Sequence, residues 1–181
     1  MIVVEAIDGA GKSTITKRFS EEYNFSLFSY PDRNGIYWSI INKFLNKEIS
    51  LSYEELFFIY SSDIIKDKNK WTEKSILDRY VTSTIAYQCA LGFPIDLAIE
   101  LANKLFPYPQ AIIYIDISPE VSLSRKINKD IFENAEFLKK VREKYLFLAE
   151  RNFMGKWIII DGNKNLDDVY KQFINEVSKI L

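Results

Sequence analysis

The chain has 181 residues with 48% hydrophobic and 27% charged side chains, which fits a single globular domain of ordinary size. Its net charge of −1 excludes a broad basic surface for nucleic acid, so an anionic ligand must be held by local cations. The lack of histidine and the single Cys89 exclude a Ser-His-Asp triad, histidine-ligated zinc, an intrachain disulfide and a cysteine metal cluster.

The opening residues, MIVVEAID, lack the basic start, long apolar stretch and cleavage site of a signal peptide. Apolar runs elsewhere are also shorter than a membrane span requires. We therefore expect a soluble, cytoplasmic protein with one domain, residues 1–181, that binds neither membrane nor nucleic acid.

Short apolar runs, several of them apolar throughout, predict strands that are covered on both faces. These runs are Ile2–Ala6, Phe25–Tyr30, Ser75–Leu77, Ala111–Ile117 and Trp157–Ile160. The segments between them carry apolar residues at helical spacing. Examples are Ile15, Phe19 and Tyr23; Phe137, Val141, Tyr145 and Leu148; and Val169, Phe173 and Val177. Alternating strands and helices predict an α/β fold, a five-stranded, mostly parallel sheet flanked by helices.

The segment EAIDGAGKST, residues 5–14, lies between the first predicted strand and the first predicted helix. A Gly-x-Gly-Lys-Ser-Thr loop that opens a helix directs backbone N–H groups at one point, which suits phosphate. We expect Lys12 to reach the β- and γ-phosphates of ATP and the Ser13 hydroxyl to ligate Mg²⁺. Gly9 and Gly11 permit the dihedral angles of the turn and a close approach of phosphate.

The phosphate loop departs from the usual pattern at Ala6, where a glycine is common. We expect the methyl group of Ala6 to be tolerated, because this residue ends the first strand. The predicted ATP-binding loop comprises Ala6, Ile7, Asp8, Gly9, Ala10, Gly11, Lys12, Ser13 and Thr14.

Charged residues also follow the second and third predicted strands. Arg33 lies in PDRN after the second strand, and Asp78 and Arg79 lie in LDRY after the third. The carboxyl ends of neighbouring parallel strands face the ligand in such sheets, so these side chains should meet near the phosphate loop. Asp78 suits Mg²⁺, held directly or through water, and the arginines suit phosphate. Two arginines at one phosphate site indicate an acceptor that carries its own phosphate.

The absence of histidine agrees with transfer to a phosphate, because a monophosphate oxygen is already an anionic nucleophile. Two other readings stay open on these residues. A deoxynucleoside kinase would need a carboxylate base for an uncharged 5′-hydroxyl and would not need both arginines. A nucleotide-dependent switch could use the same loop without any acceptor.

Segments along nearly the whole chain resemble the thymidylate kinase family. They are EAIDGAGKST at 5–14, PDRN at 31–34, DRYVTSTIAYQ at 78–88, DISPEVSLSR at 116–125, FENAEFLKKVREKYL at 132–146 and WIIIDGN at 157–163. The last of these resembles the family's last strand and adenine-side loop. The resemblance implies a three-layer P-loop kinase fold with a short lid near residues 125–134. It also implies phosphorylation of dTMP to dTDP by ATP·Mg²⁺, and a homodimer.

The resemblance implies roles for individual residues around the phosphates. Asp8 would lie near the acceptor sugar and the metal, and Arg33 and Arg79 would hold the acceptor phosphate. Arg125 would be the first residue of the lid and would cover ATP. Because Gly9 leaves the phosphate loop without an arginine, the lid should supply the positive charge. The candidate lid cations are Arg125, Lys126 and Lys129.

The resemblance also implies a binding site for the base and sugar. Phe58 falls where the family stacks a phenylalanine on thymine, and Ser83 and Thr84 fall where polar groups meet the base. Tyr87 falls where a ring disfavours a ribose 2′-hydroxyl. In a gapless alignment, Ser62 takes the place of an arginine that commonly reaches the base. We therefore expect relaxed base specificity.

Overall fold

The computed structural model describes residues 1–125 and 134–181. Five parallel strands form one sheet in the order β2-β3-β1-β4-β5. Their bounds are β1 (Ile2–Glu5), β2 (Ser26–Ser29), β3 (Ser75–Asp78), β4 (Ala111–Asp116) and β5 (Trp157–Asp161). Each strand begins and ends within one residue of its predicted run, which confirms the predicted sheet.

Helices connect the strands. They are α1 (Lys12–Tyr23), α2 (Trp38–Leu45), α3 (Tyr53–Ile65), α4 (Val81–Leu91), α5 (Ile95–Leu105), α6 (Pro119–Ser124), α7 (Ala135–Glu150) and α8 (Leu166–Val177), with a 3₁₀ turn at Lys68–Lys70. In the described parts of the chain, no helix combines the length and the apolar character needed to cross a membrane.

The helices lie in two layers around the sheet. Parallel crossovers are right-handed, so α1, which leads from β1 back to β2, lies on one face. The connections that run the other way across the sheet place α3, α4 and α7 on the opposite face, where α4 packs against both of the others. Phe173 of α8 meets Phe19 of α1 edge to face at 5.4 Å, which places α8 beside α1. The predicted three-layer α/β fold is therefore confirmed.

The buried faces of the helices largely follow the predicted spacing. Ile15 and Phe19 of α1 are buried, whereas Tyr23, at the end of that helix, is 45% exposed. Helix α3 begins with a capping box formed by Ser52 and Glu55. By contrast, the N-cap residue of α1 is Gly11, which provides no side-chain cap, so the first backbone N–H groups of the helix are available to a ligand.

Candidate active site

The strand register brings the predicted site residues to one edge of the sheet. Asp78 of β3 pairs with Val4 of β1 and with Ser29 of β2, so these three strands end at the same level. A cavity of about 510 Å³ lies at this edge. Its lining includes nine of the predicted site residues, namely Asp8, Lys12, Ser13, Arg33, Asp78, Arg79, Ser83, Thr84 and Tyr87.

The phosphate loop needs glycine at two positions, and Ala6 is at neither of them. Gly9 and Gly11 have φ values of 80° and 79°, in the left-handed region that side chains disfavour. A Cβ atom at Gly9 would also lie 2.7 Å from the carbonyl oxygen of Ser122. Ala6 is fully buried directly after β1 and has no positive φ. Its methyl group therefore belongs to the core and does not distort the loop.

Lys12 and Asp78 form a buried ion pair at the centre of the edge. Burial is the main factor that lowers the pKa of Lys12 to about 7, and the positive charge of Arg79 acts in the same direction. The carboxylates of Glu5 and Asp8 oppose this shift. An anionic ligand in the cavity would raise the pKa again and favour the charged form.

The side chain of Arg79 makes several hydrogen bonds, and its backbone adopts an unfavourable conformation. Its φ of 75° is in the left-handed region, which costs a non-glycine residue free energy and needs support from its surroundings. Its guanidinium pairs with Asp8 and donates to the carbonyl oxygen of Ala6 at 3.3 Å. It also donates to the hydroxyl of Tyr87 at 3.4 Å, and the Tyr87 ring centroid lies 5.1 Å from the guanidinium carbon. Arg79 is thus held in the cavity wall beside the phosphate loop.

Arg33 reaches the cavity from a braced loop. Its guanidinium lies over the Trp38 ring, 5.6 Å from the centroid. The preceding Asp32 donates its backbone N–H to the buried carboxylate of Asp63 at 2.8 Å. The ammonium group of Lys66 bridges the carboxylates of Asp32 and Asp63, at 3.2 Å and 2.9 Å. These contacts fix the loop after β2 to α3, so the two arginines approach the cavity from different elements.

The predicted magnesium ligands, Ser13 and Asp78, both line the cavity and are both oxygen donors. Mg²⁺ in kinases is typically held by one or two such groups together with substrate phosphates, so this donor pair fits the ion. In the described part of the chain, no cluster of three or more acidic, cysteine or histidine side chains forms a cage of its own.

The face of α3 that borders the cavity differs from the prediction. Phe58 does not line the cavity; it is 53% exposed and meets Phe57 and Phe93 edge to face. Ser62 does not line it either. The residues of α3 that do so are Tyr60 and Ile64, one helical turn apart. The physical reason is that Phe57 stacks on Phe93 at 4.2 Å and fixes the rotation of the helix, which turns Phe58 outward.

The cavity-facing side of α4 carries one residue that the sequence interpretation quoted but left without a role. Gln88 is 2% exposed and lines the cavity, and its Oε1 atom has no hydrogen-bond partner among the described residues. Thr84, one turn earlier, is also buried in the lining. Ser83 was predicted to meet the base, but its hydroxyl hydrogen-bonds to protein groups, including Arg79 at 3.1 Å. Trp38 and Leu45 of α2 complete an apolar wall.

Arg125 is outside the cavity lining. Its guanidinium donates to the backbone carbonyl oxygens of Gly162, Asn163 and Lys164 at 3.0, 3.3 and 2.9 Å. These carbonyls belong to the loop after β5, which is the predicted adenine side. Lys126 and Lys129, the other predicted lid cations, lie outside the described residues.

A parallel sheet with a phosphate loop after its central strand, and with arginines following two neighbouring strands, defines a P-loop kinase. The family model for thymidylate kinase matches residues 4–173. The chain therefore belongs to the thymidylate kinase family, as its sequence motifs predict. Membership confirms the predicted enzyme class, an ATP-dependent kinase that phosphorylates dTMP.

Individual relatives extend over the whole chain. A probable thymidylate kinase of Methanococcus aeolicus is 34% identical over 188 residues, which cover 97% of this chain and 94% of the relative. Probable thymidylate kinase 1 of Saccharolobus solfataricus is 36% identical over 194 residues, with 100% and 98% covered. The solved thymidylate kinase of Candida albicans, described as broad in substrate specificity, superposes with a TM-score of 0.79 at 23% identity. That match covers 98% of this chain and 90% of the other, and it supports the fold.

Proposed function

We propose that the cavity at the carboxyl edge of the sheet binds the phosphate of dTMP against the γ-phosphate of ATP. The observation that carries this assignment is the convergence of Lys12, Arg33 and Arg79 on one cavity beside the phosphate loop. Three cations in one cavity suit a reaction between two phosphate groups, which repel one another until their charge is neutralised.

On the donor side, Lys12 exchanges its contact with Asp78 for the phosphates of ATP. The uncapped start of α1 contributes backbone N–H groups to the same phosphates. Asp78, released from Lys12, would hold Mg²⁺ together with Ser13. Bound there, the ion would neutralise negative charge on the transferring phosphoryl group.

On the acceptor side, Arg33 and Arg79 bind and orient the phosphate of dTMP. Asp8 gives up its contact with Arg79 as the phosphate arrives and stays near the sugar. A phosphate oxygen then attacks without a general base, because it is already negatively charged. Positioning and charge neutralisation supply the catalysis.

The base lies between α3 and α4. Tyr60 takes the stacking role that the sequence interpretation gave to Phe58, because Tyr60 is the aromatic residue of α3 in the cavity lining. Ile64 takes the place given to Ser62 and offers the base no hydrogen bond. The unpaired amide oxygen of Gln88 provides a polar contact to the base edge, with Thr84 beside it. Tyr87 crowds the sugar and disfavours a ribose 2′-hydroxyl.

The remaining parts of the assignment concern the lid, the metal and the assembly. Arg125, through its bonds to the loop after β5, supports the adenine side of the ATP site, and Lys126 or Lys129 supplies the lid cation. Loss of turnover on chelation, restored by added Mg²⁺, tests the metal. Light scattering on the purified enzyme tests the homodimer. Cell fractionation tests a cytoplasmic location.

The decisive experiment is a coupled assay of ADP formation with and without dTMP. The proposed reaction requires ADP production that depends on a nucleoside monophosphate. Steady ADP release without an acceptor would support a switch instead. Activity on thymidine but not on dTMP would support a deoxynucleoside kinase. Comparing dUMP with UMP in the same assay tests Tyr87, because equal use of both would remove its role in excluding ribose.

A further inference from the structure

Glu5, the last residue of β1, is a fully buried carboxylate in which both oxygens accept hydrogen bonds. Its Oε1 atom accepts from the backbone N–H groups of Tyr80 and Ser83, both at 3.0 Å, and from the Thr82 hydroxyl at 2.6 Å. Its Oε2 atom accepts from the hydroxyl of Ser83, and from that of Tyr145 at 3.0 Å. Burying a charge is costly unless it is bonded in this way.

The two carboxylate oxygens of Glu5 bind different parts of the structure. Oε1 caps the start of α4, where Tyr80 provides no side-chain cap. Oε2 faces two hydroxyl groups that also contact Arg79. The Nη1 atom of Arg79 donates to the hydroxyl of Ser83 at 3.1 Å and to that of Tyr145 at 3.4 Å. The two hydroxyls also lie 2.7 Å apart, so at least one donates its proton to Glu5 while the other donates to Glu5 or to its neighbour. In either arrangement each hydroxyl keeps a lone pair that can face Arg79.

We propose that Glu5 is a positioning residue for Arg79, which fixes Nη1 through the hydroxyls of Ser83 and Tyr145 and leaves Nη2 to meet the acceptor phosphate. Nη2 is the nitrogen that pairs with Asp8. This inference rests on the proposed role of Arg79 in binding the phosphate of dTMP. It explains why a buried carboxylate lies beside the phosphate loop, where a negative charge would otherwise oppose the binding of two phosphates.

The charges in this cluster agree with the proposed hydrogen-bond directions. Burial, and then the charge of Glu5, raise the pKa of Tyr145 well above its ordinary value, so the phenol keeps the proton that it donates. Burial opposes the charge of Arg79, but Tyr87, Asp8, Tyr145 and Glu5 together raise its pKa well above its ordinary value. The guanidinium is therefore a permanent donor.

The first test variant is Glu5→Gln, which keeps an acceptor for the start of α4 but places an NH₂ group where Oε2 stood. The hydroxyls of Ser83 and Tyr145 must then accept from this NH₂, which competes with their bonds to Nη1 of Arg79. Among the described residues, the carbonyl oxygen of Ala6, at 3.3 Å, is then the one partner of Nη1 that is left undisturbed. We expect kcat/KM for dTMP to fall by about ten- to a hundredfold, the scale of a small misplacement of a reacting group. The KM for ATP should change little.

Tyr145→Phe removes one of the two links and leaves Glu5 in place, so a smaller loss on the dTMP side is expected. A matched control is Tyr114→Phe. Tyr114 stacks on Tyr145 at 4.9 Å and is equally buried, yet its hydroxyl makes no bond to Glu5, Ser83 or Arg79. This control should retain wild-type kinetics.

A double-mutant cycle with Arg79→Ala separates positioning from a purely structural role. If Glu5 acts through Arg79, adding Glu5→Gln to Arg79→Ala causes no further loss for dTMP. Independent, multiplicative losses would overturn the inference while leaving the role of Arg79 intact. A lack of any dTMP effect in Arg79→Ala alone would instead overturn the proposed function and this inference with it. Should Glu5→Gln fail to fold, the cycle between Tyr145→Phe and Arg79→Ala carries the same test.

Discussion

The two ends of the cavity are built on different principles. At the phosphate edge, the cations Lys12 and Arg79 are each paired with a carboxylate of the same chain. At the base wall, Trp38, Leu45, Tyr60 and Ile64 offer mainly apolar and aromatic surface. Under the proposed function, charge at the first end stabilises the transition state, whereas contact area at the second end mainly binds the substrate. Truncations at the phosphate edge should therefore reduce turnover far more than truncations at the base wall.

The ion pairs at the phosphate edge also keep it assembled before the substrates arrive. Each carboxylate is the ion-pair partner of a buried cation, and each can be replaced by a phosphate oxygen. The base wall needs no such pairing because its side chains are apolar. Its selectivity must come from shape and from the few polar groups of α4.

The largest effect is expected for Lys12→Ala. Loss of a preorganised charge at the reacting phosphoryl group should lower kcat by about a hundredfold or more, in the steady-state assay with saturating ATP and dTMP. Lys17→Ala is the matched control, because Lys17 is an exposed residue of the same helix that pairs with Glu21 at 4.0 Å. Turnover close to wild type in a folded Lys12→Ala enzyme would remove the phosphate-loop assignment.

The phosphate edge could be predicted from the sequence because strand ends determine its position. In a parallel sheet, residues that directly follow strands meet at one edge, so Lys12, Arg33 and Arg79 needed no knowledge of side-chain packing. The role of Glu5 could not be predicted in this way. Its partners come from the start of α4 and from α7. The partner in α7 is Tyr145, which lies 140 residues after Glu5 in the chain.

The base wall was harder to predict from the sequence, because α3 carries aromatic residues on more than one face. Phe57, Phe58 and Tyr60 lie within four consecutive residues, and the resemblance to the family selected Phe58. The rotation of the helix depends on the packing of Phe57 against Phe93, which the sequence does not display. One sequence pattern did indicate which face of α3 is turned toward the interior, because Phe57, Tyr60 and Ile64 have the i, i+3, i+7 spacing of a single helical face.

The next largest effect should follow Arg33→Ala. Losing one charge-assisted contact to the acceptor phosphate costs about 1.5–3 kcal/mol, or roughly ten- to a hundredfold in kcat/KM for dTMP. The KM for ATP should stay within about twofold of wild type, because Arg33 approaches from the loop after β2 and not from the phosphate loop. The measurement is initial rates with each substrate varied in turn. A rise mainly in the KM for ATP would show that the donor and acceptor sides were assigned the wrong way round.

A smaller effect is expected at the base wall, where two aromatic residues of the same helix can be compared. Tyr60→Ala should weaken dTMP binding by about 1–2 kcal/mol, the lower part of the range for a base stacked on an aromatic ring. Phe58→Ala should leave dTMP binding nearly unchanged, because that ring does not line the cavity. Equilibrium binding of dTMP to both variants makes the comparison. The reverse order of effects would restore the stacking role to Phe58.

The smallest effect concerns discrimination between dTMP and dUMP, which differ by one methyl group. Stacking on Tyr60 is available to either base, and Ile64 cannot donate a hydrogen bond. The amide of Gln88 can pair with the edge that thymine and uracil share, so it separates neither from the other. Discrimination is then limited to the apolar contact of the methyl group.

We expect kcat/KM to favour dTMP over dUMP by about tenfold, the lower end of what one such group contributes in an apolar pocket. Gln88→Leu should reduce the efficiency with both substrates and leave their ratio unchanged. A preference for dTMP above about 10⁴-fold would contradict this account, because a ratio of that size requires a polar group that the wrong base leaves unpaired.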